Sequence, residues 1–302
     1  MAWLKKADLK FKYVKRKLAG ILPDYVYVNL LYRKTYGSFP DLKNPGTFDE
    51  KIQWYKLYYR LPVMTRMADK YAVRSYIAEK GLPGILNELY GVYSRVDEIH
   101  LSRLPDSFVI KATHGSGMNI VCKDKNALDW TECREKMKLW LQTDYYSLGR
   151  EWSYKNIRPR LICEKYLENT EAGELIDYKF YCYSGKPEVL FVCTKRYSPE
   201  GLRYDAFDMN WRRVNACKGK PTSDLSVFKP DNLDEMIDIA RRLCGEFPFI
   251  RVDLYSVEER IIFGEFTFYP DNGLIPFTPD KYNYYFGDLF HLPEKNSIPK
   301  SS

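Results

Sequence analysis

In RVDLYSVEERIIFGEFTF, residues 251–268, charged side chains recur at the spacing of a strand. Alternation puts Arg251 and Asp253 on one face with Val252 and Leu254 on the other, and Glu265 and Thr267 on one face with Phe266 and Phe268 opposite. Two strands closing through a turn at Ser256–Arg260 would bring Asp253 and Glu265 together on the polar face, beside Arg251. Like charges placed opposite each other destabilise a sheet, and desolvating them costs more. A salt bridge to Arg251 on a wet sheet face is one compensation. The other is a hard cation, since Mg2+ takes one or two carboxylates and completes its shell with phosphate oxygens and water.

Three further stretches carry groups with chemical potential. DSFVIKATHGSGMNIVCK is an apolar strand ending in Lys111, a glycine-containing turn over His114–Asn119, and a second strand. Backbone N–H groups of such a turn can face phosphate oxygens, with glycine allowing close approach, although many plain hairpins contain Gly-Ser-Gly. RLICEKYLENTEAGE is a strand running into a polar loop. Its end could offer the backbone of Lys165 and Leu167 to an adenine edge and the carboxylate of Glu168 or Glu171 to a ribose, or be an ordinary strand end. IDYKFYCYSG puts Asp177, Lys179, Tyr181 and Tyr183 on one face. A lysine there either snorkels to solvent or meets an anion.

Several chemistries are excluded by missing motifs. There is no G-x-x-x-x-G-K-[ST], no G-x-G-x-x-G, and no kinase H-R-D or D-F-G. Only His100, His114 and His291 are present, so no H-E-x-x-H zinc site can be built, and no G-x-S-x-G elbow supports a serine triad. No two aspartates stand one residue apart, which removes the D-x-D of many metal-dependent glycosyltransferases.

These groups must be positioned by a chain of 302 residues, long enough for one large domain or two modest ones. No apolar run reaches the roughly 18 residues of a membrane span, and the basic N-terminus never becomes a signal-like apolar stretch. The seven cysteines form no C-x-x-C, and several sit in apolar runs. Both features lead to the expectation of reduced thiols in the cytoplasm. Of the net charge of +7, residues 1–18 carry +6, which argues against a nucleic-acid surface over the rest. In that segment Leu4, Ala7, Phe11, Val14, Leu18 and Ile21 form a narrow helical stripe among lysines, with Gly20 and Pro23 as stop signals. It reads either as a peripheral contact with an anionic membrane surface or as a helix docked on the protein. A helix capped by Thr47 and Glu50, another in ADKYAVRSYIAEKG, strands from about residue 108, and helices over 129–142 and LDEMIDIARRLCGEF complete the pattern. It is α+β, helices first.

The ordered set NPGTFDEKIQW, DKYAVRSYIAEKG, LPDSFVIKATHGSG, ICEKYL, DYKFYCYSGKP, FPFIRVDLY and FGEFTF resembles the ATP-grasp superfamily, and within it the teichuronopeptide-biosynthesis, TupA-like, family. The resemblance covers roughly residues 40–290. It implies two α+β subdomains clasping ATP: a helical region over 1–68, a lid over 69–165, a larger subdomain over 166–295, and a tail over 296–302. It further implies that Lys111 contacts the nucleotide phosphates, that the loop of His114, Gly115, Ser116 and Gly117 closes over them, and that Glu164 belongs to the cofactor-binding set. Lys165 and Leu167 would hold adenine, Glu168 or Glu171 the ribose, and Lys179 the γ-phosphate. Asp253, Glu265 and Thr267 would hold Mg2+, with threonine where many relatives carry asparagine, and Arg251 would act with Lys179 in catalysis. The activity so implied is ligation of an amine to a carboxylate through an acyl phosphate, with a uronic acid of a bacterial surface polysaccharide as the acceptor. A glycosyltransferase of the same assembly and a non-catalytic nucleotide- or glycan-binding module are the alternatives.

Overall fold

The computed structural model describes residues 22–168, 174–196, 198–199, 201–223 and 227–295. The basic stripe of residues 1–18, Glu171 and the tail 296–302 lie outside the described residues. Four helices open the described chain: α1 Asp24–Tyr36, α2 Phe48–Tyr58, α3 Pro62–Ala68 and α4 Val73–Glu79. Pro23, read from the sequence as a stop, stands at the N-cap of α1, where its fixed φ suits a helix start and its missing N–H costs nothing. The expected capping box starts α2: Thr47 accepts from the Glu50 N–H while Glu50 accepts from the Thr47 N–H. Thr47→Ala should therefore lower stability by about 1 kcal/mol, read as an earlier midpoint in urea unfolding with an unchanged slope.

The first sheet is built from β1 Leu89–Tyr93, β2 Phe108–Ala112, β3 Asn119–Cys122 and β4 Leu161–Lys165, in the order β1-β4-β2-β3. Helix α5, Trp130–Leu141, buries Cys133 and Met137 against it, and the short α6, Tyr146–Gly149, follows. The second sheet takes β5 Asp177–Tyr183, β6 Lys186–Thr194, β7 Arg203–Phe207 and β8 Arg213–Val214, and after β9 Cys217–Lys218 and α7 Leu233–Cys244 it adds β10 Phe249–Val257 and β11 Arg260–Thr267. Its order is β11-β10-β5-β6-β7-β8. β12 Phe277–Thr278 pairs with β9, and α8 Lys281–Leu289 closes the described chain. The apolar face of α7 and residues of α2, α3 and α4 share one core with this sheet. All seven cysteines are free and six are buried. No helix among the described residues is long and apolar enough to cross a membrane.

The hairpin predicted over 251–268 forms, with Asp253 directly opposite Glu265. Glu258 and Glu259 turn it, both at positive φ, as a tight two-residue hairpin turn requires. The register slips after Asp253, where Gly264 is the extra residue of a bulge. A Cβ on Gly264 would lie 3.0 Å from the Asp253 carbonyl oxygen, so the close approach that seats Glu265 depends on glycine. Helices α3 and α8 and strands β1 and β7 went unread in the sequence. α3 is a single short segment opened by proline. α8, KYNYYFGDL, is made of weak helix formers and is held by packing, with Phe286 stacked near Phe277.

Candidate active site

β5 and β10 pair so that Lys179 lies opposite Asp253, and both side chains are almost fully buried. Lys179 therefore does not snorkel. Its Nζ lies 2.6 Å from Asp177 Oδ2 and 2.5 Å from Asp253 Oδ2. Arg251 adds a two-pronged contact, Nε and Nη2 each 2.7 Å from the oxygens of Asp253, and reaches Glu265 Oε1 at 3.4 Å. Arg196 closes the far side on Asp177 at 2.7 Å. Burying so many charges is tolerable only because each finds an opposite partner.

Glu265 is the looser member. Its side chain is 29% exposed, and its contacts to Arg251 and Lys70 measure 3.4 and 3.5 Å. Burial pushes its carboxyl up, but Lys70, Arg251, Lys179 and Lys111 outweigh that and hold it at about 2. Thr267, two residues on, lines the same cavity. Oxygen donors only, at the mouth of a polar cavity, suit Mg2+. Among the described residues no three His, Cys, Asp or Glu side chains converge on one point, so such an ion would draw its other ligands from phosphate and water. Glu265 and Thr267 have acceptor capacity to spare, whereas Asp253 gains it only as Lys179 turns to another anion.

Two cavities meet at this network. One of about 750 Å³ lies between the sheets, walled by Val109 and Val121 of the first sheet and Tyr255 of the second, with Lys111, Lys165, Leu167 and Glu168 along it. Apolar walls with lysines and Arg196 in the lining suit a nucleotide. The other, about 330 Å³, is lined by Ser116, Lys179, Arg251, Glu265 and Thr267 and by the tyrosines Tyr145, Tyr154, Tyr204 and Tyr269. Arg196 lines both.

The predicted nucleotide residues fall into distinct positions. Lys111 lines the larger cavity and is paired with the buried Glu164 at 2.8 Å, which Arg74 also approaches at 3.4 Å. Glu164 thus orients a lysine and does not line that cavity. The Lys165 N–H donates to the Glu88 carbonyl at 2.9 Å, and its carbonyl accepts from Asn87 at 2.9 Å, so what Lys165 can still offer a base is a carbonyl lone pair. Of the glycine turn, Ser116 reaches the smaller cavity. His114 is buried with Nε2 3.0 Å from the Trp140 carbonyl oxygen, tying the turn to the end of α5. Gly115 is packed so closely that a Cβ there would stand 2.5 Å from the Tyr145 ring.

Sequence reasoning missed Lys70, Asp177, Arg196 and Glu151. Lys70 donates to the Gly115 carbonyl at 2.7 Å while facing Glu265, linking the turn to the paired acids. Asp177 had a visible signal, its place two residues before Lys179 on the same face. Lys70 and Arg196 had none, because their contacts join segments far apart in sequence.

A sequence model of the family described as TupA-like ATPgrasp matches residues 50–291. Among solved structures, the chain is similar to N5-carboxyaminoimidazole synthase from Aspergillus clavatus in complex with ADP and 5-aminoimidazole ribonucleotide, at 12% identity over 70% of this chain and 46% of that one, with a TM-score of 0.40. It is similar also to D-alanine–D-alanine ligase from Bacillus anthracis complexed with ATP, at 11% identity over 67% and 54%, TM-score 0.39. The same enzyme from Helicobacter pylori gives 14% identity over 85% and 68%, TM-score 0.41. The chain thus spans about half the length of the first two. No curated protein matches it.

Proposed function

The chain belongs to the TupA-like ATP-grasp family, and on that premise we propose that it is an ATP- and Mg2+-dependent ligase joining an amine to a carboxylate, the carboxylate being that of a uronic acid in a surface polysaccharide or its precursor. The observation that carries the reading is the placement of Asp253 directly opposite Glu265, within reach of Lys179 and Arg251, with Glu265, Lys179 and Arg251 lining the smaller cavity that shares Arg196 with the larger one. In this reading the larger cavity takes the base and ribose, with Leu167 against the base and Glu168 near the ribose. Lys111 and the Ser116 turn face the phosphates, and the smaller cavity takes the acceptor.

Asp253, Glu265 and Thr267 would hold Mg2+, which when bound neutralises phosphate charge and draws electrons from the bridging oxygen. The chain's own groups do the rest. A carboxylate is a poor electrophile, and its attack on the γ-phosphorus with expulsion of ADP turns it into an acyl phosphate. Two anions approach each other in that step. Lys179 and Arg251 set positive charge at the point of approach, and the rigid β5–β10 pair fixes their positions in advance. The tyrosines of the smaller cavity offer flat faces to a sugar ring. No cysteine or serine nucleophile is required.

The test is ADP release and hydroxylamine trapping with Mg·ATP and D-glucuronate, D-galacturonate or their glycosides. Hydroxamate dependent on both ATP and the uronate is the expected result. Absence of both ADP and hydroxamate across that panel refutes the uronate ligase.

A further inference from the structure

The smaller cavity holds two carboxylates that the nucleotide reading leaves unused. Glu151 and Asp271 line it with Tyr145, Tyr154 and Tyr269. Glu151 is half-buried and Asp271 exposed at the cavity, and neither carboxylate has a hydrogen-bond or ion-pair partner among the described residues, so both are open to a cation entering it. A buried group without a partner lines the same cavity. Tyr269 is only 2% exposed, yet its hydroxyl has no partner, and Glu151 is the charge that acts on it most strongly. Buried hydroxyls are rarely left so without a ligand or water to meet them.

The fold holds this corner firmly. Arg150, in the left-handed region at φ 56°, ends α6, lies 3.1 Å from Asp24 and stacks over Tyr27 with 4.4 Å to the ring centre. The chain is thereby turned so that Glu151 starts the buried segment Trp152–Tyr154. Opposite, Asp271 and Asn272 both adopt positive φ, at 51° and 59°. Two residues of α2 clamp that strained turn: Lys56 Nζ donates to the Asn272 carbonyl at 2.6 Å, and Gln53 Nε2 donates to the Gly273 carbonyl at 2.7 Å. Gly149 leaves the room, since a Cβ there would come within 2.6 Å of the Asn272 amide.

We propose that this end of the cavity is the amine subsite, where Glu151 and Asp271 hold the incoming nucleophile as an ammonium ion and Glu151 takes its proton. The inference rests on the ligase reading and deepens it by naming the nucleophile's charge and the group that activates it. An ammonium cannot attack. One proton passes to the Glu151 carboxylate, the freed nitrogen lone pair adds to the acyl carbon, and the carbon–oxygen bond to phosphate breaks with its electrons leaving on phosphate. The second N–H proton departs with the phosphate, giving amide and hydrogenphosphate, and Glu151 returns its proton to water. Two unpaired carboxylates attract a cation and give a hydroxyl or thiol nucleophile no comparable hold, so the site selects amines.

The charges around Glu151 fit that task. Burial pushes its carboxyl up to about 7; Lys56 pulls it down, Asp271 and Glu265 push it up, and Arg251 opposes them. Lys56, fully buried, is itself drawn down to about 7 by desolvation. A base poised near neutrality can receive a proton in one step and release it in the next.

The full-length protein and its Glu151→Gln and Asp271→Asn variants are melted with Mg·ADP and methylammonium, glycine, L-alanine or L-lysine. At least one amine should raise the wild-type midpoint by about 2 °C or more, with the shift lost in Glu151→Gln and reduced in Asp271→Asn. In the same proteins with Mg·ATP and a uronate, the ratio of amide to hydroxamate should fall about 10²-fold in Glu151→Gln, because hydroxylamine is neutral at pH 7 and needs no base. Glu151→Asp should recover part of that ratio. No shift with any amine, or equal shifts in wild type and Glu151→Gln, overturns the subsite. An unchanged amide-to-hydroxamate ratio overturns the proton transfer. Amine shifts without any hydroxamate overturn the ligase reading and leave the ammonium site standing.

Discussion

Glu265→Gln is expected to lower ATP turnover by about 10²- to 10³-fold while lowering the melting midpoint by less than the roughly 10 °C expected of Asp253→Asn. The asymmetry follows from the geometry. Glu265 is 29% exposed and its ion contacts are long, 3.4 Å to Arg251 and 3.5 Å to Lys70. Partly solvated pairs of that kind contribute about 0–1 kcal/mol. If it holds Mg2+ as proposed, the same carboxylate would bear on several kcal/mol of charge stabilisation, and each 1.4 kcal/mol is roughly a factor of ten in rate. The pH dependence separates this acid from Glu151. A carboxyl held at about 2 in the folded protein, against roughly 4.3 when unfolded, lends stability that is complete above the unfolded value and is lost as pH falls toward 2. Glu265 is therefore ionised throughout the neutral range and contributes no limb to the rate profile there. A limb near pH 7 would belong to Glu151 and Lys56 together; the folded value of Glu151 is raised, so its ionisation opposes folding as pH rises from about 4.3 through 7. Initial rates of ADP release from pH 5.5 to 9, with a Mg2+ titration of each protein, check both statements. A Glu265→Gln protein with wild-type turnover and Mg2+ response would remove Glu265 from the site.

The hairpin of residues 251–268 was legible because its two signals are local. Alternation assigns the faces and a short charged turn assigns the register, so Asp253 and Glu265 could be paired before any coordinate was known. The capping box at Thr47 and the strand carrying Lys179 were readable for the same reason. The bulge at Gly264 was not, although it seats Glu265, because a single glycine in a strand does not say which backbone approaches it. Lys179 offered two outcomes on sequence grounds, and only the pairing of β5 with β10, brought together from segments 74 residues apart, decides for burial between aspartates. His114 was read with its loop as closing over the phosphates; its ring hydrogen-bonds the Trp140 carbonyl and so ties the loop to α5. Glu151 was invisible. It sits in an irregular stretch between two short helical segments, and its surroundings come from elsewhere in the chain: Lys56 of α2, Asp271 beyond β11, and the smaller cavity that both carboxylates line. Local patterns announce elements and caps, while a site assembled from loops and distant helices has no periodicity to betray it.

Asp253→Asn is expected to cost about 3–5 kcal/mol of stability, lowering the midpoint by roughly 10 °C, in contrast to Glu265→Gln. Asp253 accepts three hydrogen bonds on two oxygens: Arg251 Nε and Nη2 at 2.7 Å each and Lys179 Nζ at 2.5 Å. Asparagine keeps one acceptor and turns an N–H2 donor toward the guanidinium, so the buried cations lose both a partner and a counter-charge. Lys179→Met should cost less, about 1–3 kcal/mol, since Asp253 keeps Arg251 and Asp177 keeps Arg196. Combining the two removes the lysine that Asp253→Asn leaves short of charge, so the double variant should be more stable than the sum of the single losses by about 0.5–3 kcal/mol. Urea unfolding of the four proteins completes the cycle, and additivity within about 0.3 kcal/mol would mean the short Lys179–Asp253 contact carries no energy of its own. On the proposed function, the same coupling would let a stabilising pair serve at a reaction centre. Lys179 rests between Asp177 and Asp253, and a triphosphate entering beside Arg196 offers it a third anion. Each step of Lys179 toward that anion frees an oxygen of Asp253 for the metal, so that nucleotide and Mg2+ should bind with positive cooperativity that Lys179→Met abolishes.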